Sequence, residues 1–254
     1  MSVSKRVYVL TFCKDINALY GSLLVFKSIR IGFPTAEIIV IDNNSIPDAV
    51  IEIEKAAHSV NAQFVKLENQ VLHRDYLRYI LNCENDDAQV YIIDPDVIFW
   101  KNVELFTTNK LLAGRLVPEF FNEYTDTITK PRIHTSFLYI PCVKLLINKI
   151  NALENKYCTD LIKYTTLKVN GNWTMWDTFG QVFECLYSDI EIFTEKQNDC
   201  FDHIFCGSHL NIIAKRHNNP RLHEIHRLST ENPQELKGIW REQHDFFLST
   251  INKE

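Results

Sequence analysis

The chain has 254 residues, 46% of them hydrophobic and 23% charged, with only 7 Gly and 8 Pro. That is ample apolar material for one large core and too little Gly and Pro for a fibrous or low-complexity chain. A formal charge of −5 and a pI near 6.0 argue against a general nucleic-acid binder, although net charge says nothing of local patches.

The seven cysteines are Cys13, Cys83, Cys142, Cys158, Cys185, Cys200 and Cys206. They are odd in number and form no CxxC pair, so they read as reduced thiols and not as a disulfide framework or zinc ribbon. No apolar run approaches the roughly 20 residues of a membrane helix, and the N-terminus lacks the apolar core of a signal peptide. A cytoplasmic protein is expected, with any membrane association peripheral.

In chain order, 7–12 reads as a buried strand and 17–30 as a helix, in which Leu19, Leu23, Phe26 and Ile29 recur at helical spacing. A second strand, 37–41, ends at Asp42-Asn43-Asn44-Ser45. A helix over 47–60 starts with Pro47 in its first turn. A third strand at 64–67 and a helix over 71–82 precede a fourth strand, 90–100. Continuously apolar strands alternating with helices imply βαβ units and a largely parallel α/β sheet covered on both faces. Ligands of such sheets bind beyond the carboxyl ends of the strands.

The second half is less regular. Strands are expected at 111–117 and 136–140, around an exposed loop at 118–132, with helices over 143–164 and 177–187. A strand running into an active-site loop is expected over 198–211. The polar, basic stretch 217–231 reads as a mobile segment, and 233–252 as a terminal amphipathic helix.

The chemistry concentrates at Asp94-Pro95-Asp96. A bare Asp-x-Asp arises readily by chance, but this one interrupts an apolar run, between Tyr91-Ile92-Ile93 and Val97-Ile98-Phe99. Burying ionised carboxylates is costly unless they are paired or bind a metal. Two together, with no Lys or Arg before Lys101, call for a cation, and hard oxygen ligands suit Mg²⁺ or Mn²⁺. The competing reading is a surface turn capped by aspartates.

The order of several segments resembles the GT-A fold glycosyltransferases, with closest likeness to family 2. These are Val9-Leu10-Thr11, Ile41 to Ser45, Ile93 to Asp96, Arg132 to Tyr139, Trp176 to Gly180 and His203 to Ser208. The resemblance implies a Rossmann-like, mostly parallel sheet in a single domain over 1–254. It divides into a nucleotide-binding half (about 1–100), an acceptor-binding half (about 101–212) and a C-terminal helical extension (about 213–254).

It further implies that Thr11, Phe12, Asp15, Asp42, Asn43, Asp94 and Pro95 hold a nucleotide-sugar donor, with Asp42 equally readable as serving only its own loop. Arg74 and Arg78 could reach the diphosphate or form a solvated helix face. His203 would complete the metal site, with His209 in reserve, and Ser208 could hydrogen-bond the diphosphate. Asp177 is the expected general base of an inverting transfer and is equally readable as a helix N-cap. Glu119, Glu123 and Asp126 are alternative bases. Trp173, Trp176 and His134 would contact a carbohydrate or glycoconjugate acceptor, as in polysaccharide synthesis. His223 and His226 have a metal-like spacing in a polar stretch.

Two rivals remain at this point. A sugar-phosphate nucleotidyltransferase would show a glycine-rich basic loop where this chain has Thr11-Phe12-Cys13-Lys14-Asp15. A non-catalytic nucleotide-sugar or glycan-binding domain would keep the fold without turnover.

Overall fold

Val7 and Val9 on one side and Tyr8 and Leu10 on the other make β1 (Lys5–Thr11) apolar on both faces, as a central strand between helical layers must be. In the computed structural model, which describes residues 4–84, 88–122, 125–204 and 220–251, three more strands gather around it in parallel. They are β2 (Glu37–Asp42), β3 (Gln63–Lys66) beyond it, and β4 (Gln89–Ile93) on the opposite side.

The second half supplies β5 (Val97–Phe99), β6 (Leu112–Val117), β7 (Phe120–Asn122), β8 (Thr127–Thr129) and β9 (Arg132–Ile140). After these come β10 (Thr165–Val169), β11 (Asn172–Trp176), β12 (Ile190–Ile192) and β13 (Phe201–His203). The seven-stranded sheet runs β12-β6-β9-β4-β1-β2-β3. Only β9 is antiparallel to its neighbours. The molecule is therefore an α/β structure on a mostly parallel sheet, as the sequence pattern leads one to expect. A second sheet, β10-β11-β8-β7, and the ribbon β13-β5 complete the strands.

Each face of the large sheet has its own core. The helix Pro47–Ser59 buries Ala49, Ile53 and Ala57 on one face, beside Phe33, Tyr91, Phe99, Phe137 and Phe201. The helices His73–Cys83 and Val143–Tyr157 cover the other, setting Leu77, Ile80, Val143, Leu146 and Ile150 against Val90, Ile92 and Leu138. A third cluster joins Leu24, Ile98 and Ile204 to Ile225, Leu228, Leu236 and Ile239. No described helix is long and apolar enough to cross a membrane.

Several expectations are corrected. The helix expected over 17–30 is broken into short pieces, Ile16–Ala18, Leu19–Leu23, Leu24–Lys27 and Ile29–Gly32. Tertiary bonds break it: Val25 N–H goes to Pro95 O (2.8 Å), and Ser28 Oγ accepts Phe99 N–H (2.9 Å). The expected loop 118–132 contains β7 and β8. The helix expected to reach 164 stops at Tyr157, where Cys158 turns left-handed (φ 52°).

A hairpin of β10 and β11 follows, turned by Asn170 (φ 50°) and Gly171 (φ 91°), the dipeptide such tight turns favour. The helix expected over 177–187 is only Gly180–Cys185. Of the strand and loop expected over 198–211, the described part holds β13 (Phe201–His203), preceded by the helix Glu195–Asn198, and residues 205–211 lie outside the described residues. The basic stretch expected to be mobile contains the helix Pro220–Glu231, because Ile225 and Leu228, one turn apart, both reach the third cluster. The terminal helix is split into Pro233–Leu236 and Ile239–Ile251.

Candidate metal centre and cavity

β4 ends at Ile93, and the chain leaves the sheet through Asp94-Pro95-Asp96 before β5 begins. Two neighbours hold this bend. Asp94 N–H donates to Ser136 O on β9 (3.0 Å), and Pro95 O takes the Val25 amide. Opposite β5 lies β13, with His203 in register with Val97 and Ile204 N–H on Asp96 O (2.9 Å). One ligand atom each from Asp94, Asp96 and His203 therefore come within 4.8 Å of one another. His203 Nε2 stands 3.1 Å from Asp96 Oδ1.

The electrostatics of the cluster favour a cation. Burial pushes the Asp94 carboxyl up; His73 opposes this, and the Asp96 charge adds to it. Burial would push the His203 imidazole down, but Asp96 and then Asp94 more than reverse that. Two carboxylates and one imidazole form a donor set suited to Mn²⁺ or Mg²⁺. His134 packs on His203 with ring centroids 4.6 Å apart. Burial and its cationic neighbours push His134 well down. Its Nδ1 accepts Ser136 N–H (3.1 Å), which leaves the proton on Nε2.

A cavity of about 370 Å³ opens beside the cluster, at the carboxyl ends of β1, β2 and β4. Thr11, Phe12, Asn43, His73, Tyr76 and the Asp94–Asp96 bend line it. A volume of this size lies within the range of small-ligand sites, and the switch between β1 and β4 is where open α/β sheets bind ligands.

No family model and no curated protein matches the chain. Among solved structures it is similar to the apo form of the WbbM bifunctional glycosyltransferase, at 12% identity over 76% of this chain and 39% of that one, with a TM-score of 0.49. It is also similar to the glycosyltransferase GlyE of Streptococcus pneumoniae (13% identity, 88% and 52% covered, TM-score 0.46). A third is a mannosyltransferase from Pyrobaculum calidifontis in complex with GDP-Man and Mn²⁺ (15% identity, 59% and 47% covered, TM-score 0.39). The chain thus spans about half the length of these proteins or less. Likenesses this distant decide nothing about a reaction.

The remaining expected residues fall into distinct places. Asp42 is fully buried and does not line the cavity. Its carboxylate accepts from the Ser45 amide (2.9 Å), Ser45 Oγ (2.5 Å) and Thr11 Oγ1 (3.2 Å), so it serves its own loop. Asn43 lines the cavity, but its side-chain amide grips Val71 from both sides, Nδ2 to Val71 O (2.9 Å) and Oδ1 from Val71 N–H (2.8 Å). Asp15 bonds Asn17 on an exposed turn.

Arg78 is spent on Glu154 (2.6 and 3.1 Å) and Asp160 (2.9 Å), and Arg74 on Asp75 (3.2 Å). Asp177 Oδ1 takes the Thr178 amide (2.7 Å), and its Oδ2 pairs with Arg132 Nη2 (2.9 Å). It does not cap the helix Gly180–Cys185, whose N-cap is Phe179. Trp173 is exposed, while Trp176 Nε1 donates to Glu184 (2.6 Å). Glu119 pairs with Lys130, and Asp126 occupies a left-handed turn (φ 51°). Glu123, Ser208 and His209 lie outside the described residues. His223 is exposed and His226 packs on Tyr20, and neither joins the cluster of Asp94, Asp96 and His203.

Sequence reasoning named His134 but missed its neighbours on β9: Arg132 pairs with Asp177, and Ser136 O takes the Asp94 amide. It also missed Tyr76, a cavity-lining residue whose buried hydroxyl has no hydrogen-bond partner among the described residues. An unsatisfied buried hydroxyl costs about 1–3 kcal/mol. Tyr76→Phe should therefore raise the unfolding temperature, as differential scanning calorimetry would show; a drop of several degrees would contradict the orphaned hydroxyl.

Proposed function

We propose that this chain transfers a glycosyl group from a nucleoside-diphosphate sugar to a hydroxyl of a carbohydrate or glycoconjugate acceptor, with Mn²⁺ or Mg²⁺ held by Asp94, Asp96 and His203. The whole chain acts as one catalytic domain. The observation that carries the reading is the convergence of those three side chains, two of which line a ligand-sized cavity at the carboxyl ends of β1, β2 and β4. When bound, the ion supplies Lewis-acid stabilisation to the departing diphosphate.

The chain's own residues do the rest. Thr11, Phe12 and the Asn43-pinned wall hold the nucleoside, with Asp42 keeping the turn in shape from below. Asp177, oriented by Arg132, takes the proton of the acceptor hydroxyl. The acceptor oxygen then forms its bond to the anomeric carbon as the bond from that carbon to the diphosphate oxygen breaks. The electron pair leaves with the nucleoside diphosphate, and attack from the opposite face inverts the sugar configuration. His134, neutral and packed against His203, steadies that ligand. Exposed Trp173 offers a face for an acceptor ring.

Calorimetric titration of UDP, GDP and dTDP with Mn²⁺, then with EDTA, tests the donor site. Binding of one nucleotide that vanishes on chelation is expected; metal-indifferent binding, or none, would overturn the reading. For the base, Asp177→Asn should lower kcat by about 10²- to 10⁴-fold while nucleotide affinity holds. Unchanged turnover in that variant would move the base elsewhere.

A further inference from the structure

The ribbon that brings His203 to Asp96 is very short. β5 and β13 have three residues each, paired Phe201 to Phe99, Asp202 to Ile98 and His203 to Val97. An isolated two-stranded pair of this length has no stability of its own in water. Something else must hold it.

Successive residues of a strand face opposite ways, so where His203 turns to Asp96, Asp202 turns to the other side. There it is 1% exposed, and hydrogen-bond donors converge on its carboxylate. Oδ2 accepts from Trp100 Nε1 (2.7 Å) and the Gly238 amide (2.7 Å), and Oδ1 from the Trp240 amide (2.9 Å). Gly238 has φ of 90°, a conformation that favours glycine.

Two more bonds fasten the same ribbon. Gln243 Nε2 donates to His203 O (3.3 Å), and Arg115 Nη2 donates to Phe201 O (2.8 Å) while its guanidinium lies 4.1 Å from the Phe201 ring centroid. Of these partners Gly238, Trp240 and Gln243 all belong to the C-terminal segment 233–251, which also buries Leu236 and Ile239 against Ile98 and Ile204.

We propose that the C-terminal segment is a working part of the metal centre: its docking onto Asp202 sets where His203 stands, so metal affinity and docking rise and fall together. Asp202 is a positioning residue and touches no reacting atom. The inference rests on the metal site proposed above. Linkage is reciprocal, so an ion that binds better to the docked form must also tighten the docking.

The test needs no substrate. Mn²⁺ binding is titrated by electron paramagnetic resonance for the wild type, Asp202→Asn and Trp100→Phe. Hydrogen exchange of peptides covering 239–251 is followed with and without Mn²⁺. In Asp202→Asn an amide nitrogen faces N–H donors, and loss of support behind a metal ligand typically weakens binding by about 10- to 100-fold.

That loss is expected, together with exchange in 239–251 that Mn²⁺ slows in the wild type and not in the variant. Trp100→Phe removes a single donor and keeps the test open should Asp202→Asn misfold; it should weaken Mn²⁺ by roughly threefold or more. Wild-type Mn²⁺ affinity in the folded variants, or wild-type exchange in 239–251 indifferent to Mn²⁺, overturns this inference alone. A wild type that holds no Mn²⁺ overturns the metal site and this inference with it.

Discussion

Asp96→Ala should cost about 10³-fold or more in transfer rate, the scale of losing several kcal/mol of stabilisation on a departing diphosphate. The same substitution should remove the thermal stabilisation that Mn²⁺ is expected to give the wild type. It should not unfold the protein. Asp96 is 5% exposed, and deleting its charge has two opposed effects on the metal-free protein: it relieves the repulsion on buried Asp94 and removes the partner of His203. Three measurements separate lost chemistry from lost structure: transfer rate, metal-free unfolding temperature, and the shift of that temperature with Mn²⁺. Wild-type metal response in the variant would remove Asp96 from the site. A collapse of metal-free stability would make its role structural.

The largest loss of stability is expected from Phe137→Ala, about 3–5 kcal/mol, against total stabilities of about 5–15 kcal/mol for folded domains. Phe137 is 1% exposed and is the hub of an aromatic cluster. Phe201, Phe193 and Phe99 lie 4.6, 5.5 and 5.7 Å from its ring centroid, with Phe33, Tyr91 and Phe106 just beyond. The cavity left would be walled by rings from several different elements, which cannot all shift to fill it. The hub also backs the candidate metal centre. Phe137 pairs with Ile93 and follows Ser136, whose carbonyl holds the Asp94 amide. Urea denaturation should show the loss, and a deficit under about 1.5 kcal/mol would mean that the cluster repacks.

What could be read in the chain and what could not divide along physical lines. The parallel half was legible because β1, β2 and β4 are apolar on both faces, and because Pro47 marks a helix start at the residue where one begins. Asp94 and Asp96 stood out because carboxylates inside an apolar run conflict with burial. The break in the first helix was not legible. Its spacing of Leu19, Leu23 and Phe26 is helical, and what breaks it is Pro95 and Phe99, far along the chain.

Arg132, Asp202 and Tyr76 were missed for the same reason: their importance lies in partners that only folding supplies. The hairpin at Asn170-Gly171 is different, since that dipeptide between β-rich runs carries its own turn signal. Asp42 and Asn43 teach a further lesson. Their position at the end of β2 suggests ligand contact, yet their side chains are spent on Ser45, Thr11 and Val71.

The β5–β13 ribbon also bears on the order in which the molecule assembles. β1, β2 and β3 follow one another in the chain through helical crossovers, so that half can form early. Trp100 and Asp202, by contrast, are 102 residues apart in sequence, and joining them closes one of the long loops of the chain, an entropic toll that contacts nearby in sequence do not carry. The ribbon joins the two ends of that loop, so it should form among the last steps of folding. A partly folded chain would then own both aspartates and the histidine without being able to use them, and competence for the ion would report completion of the fold.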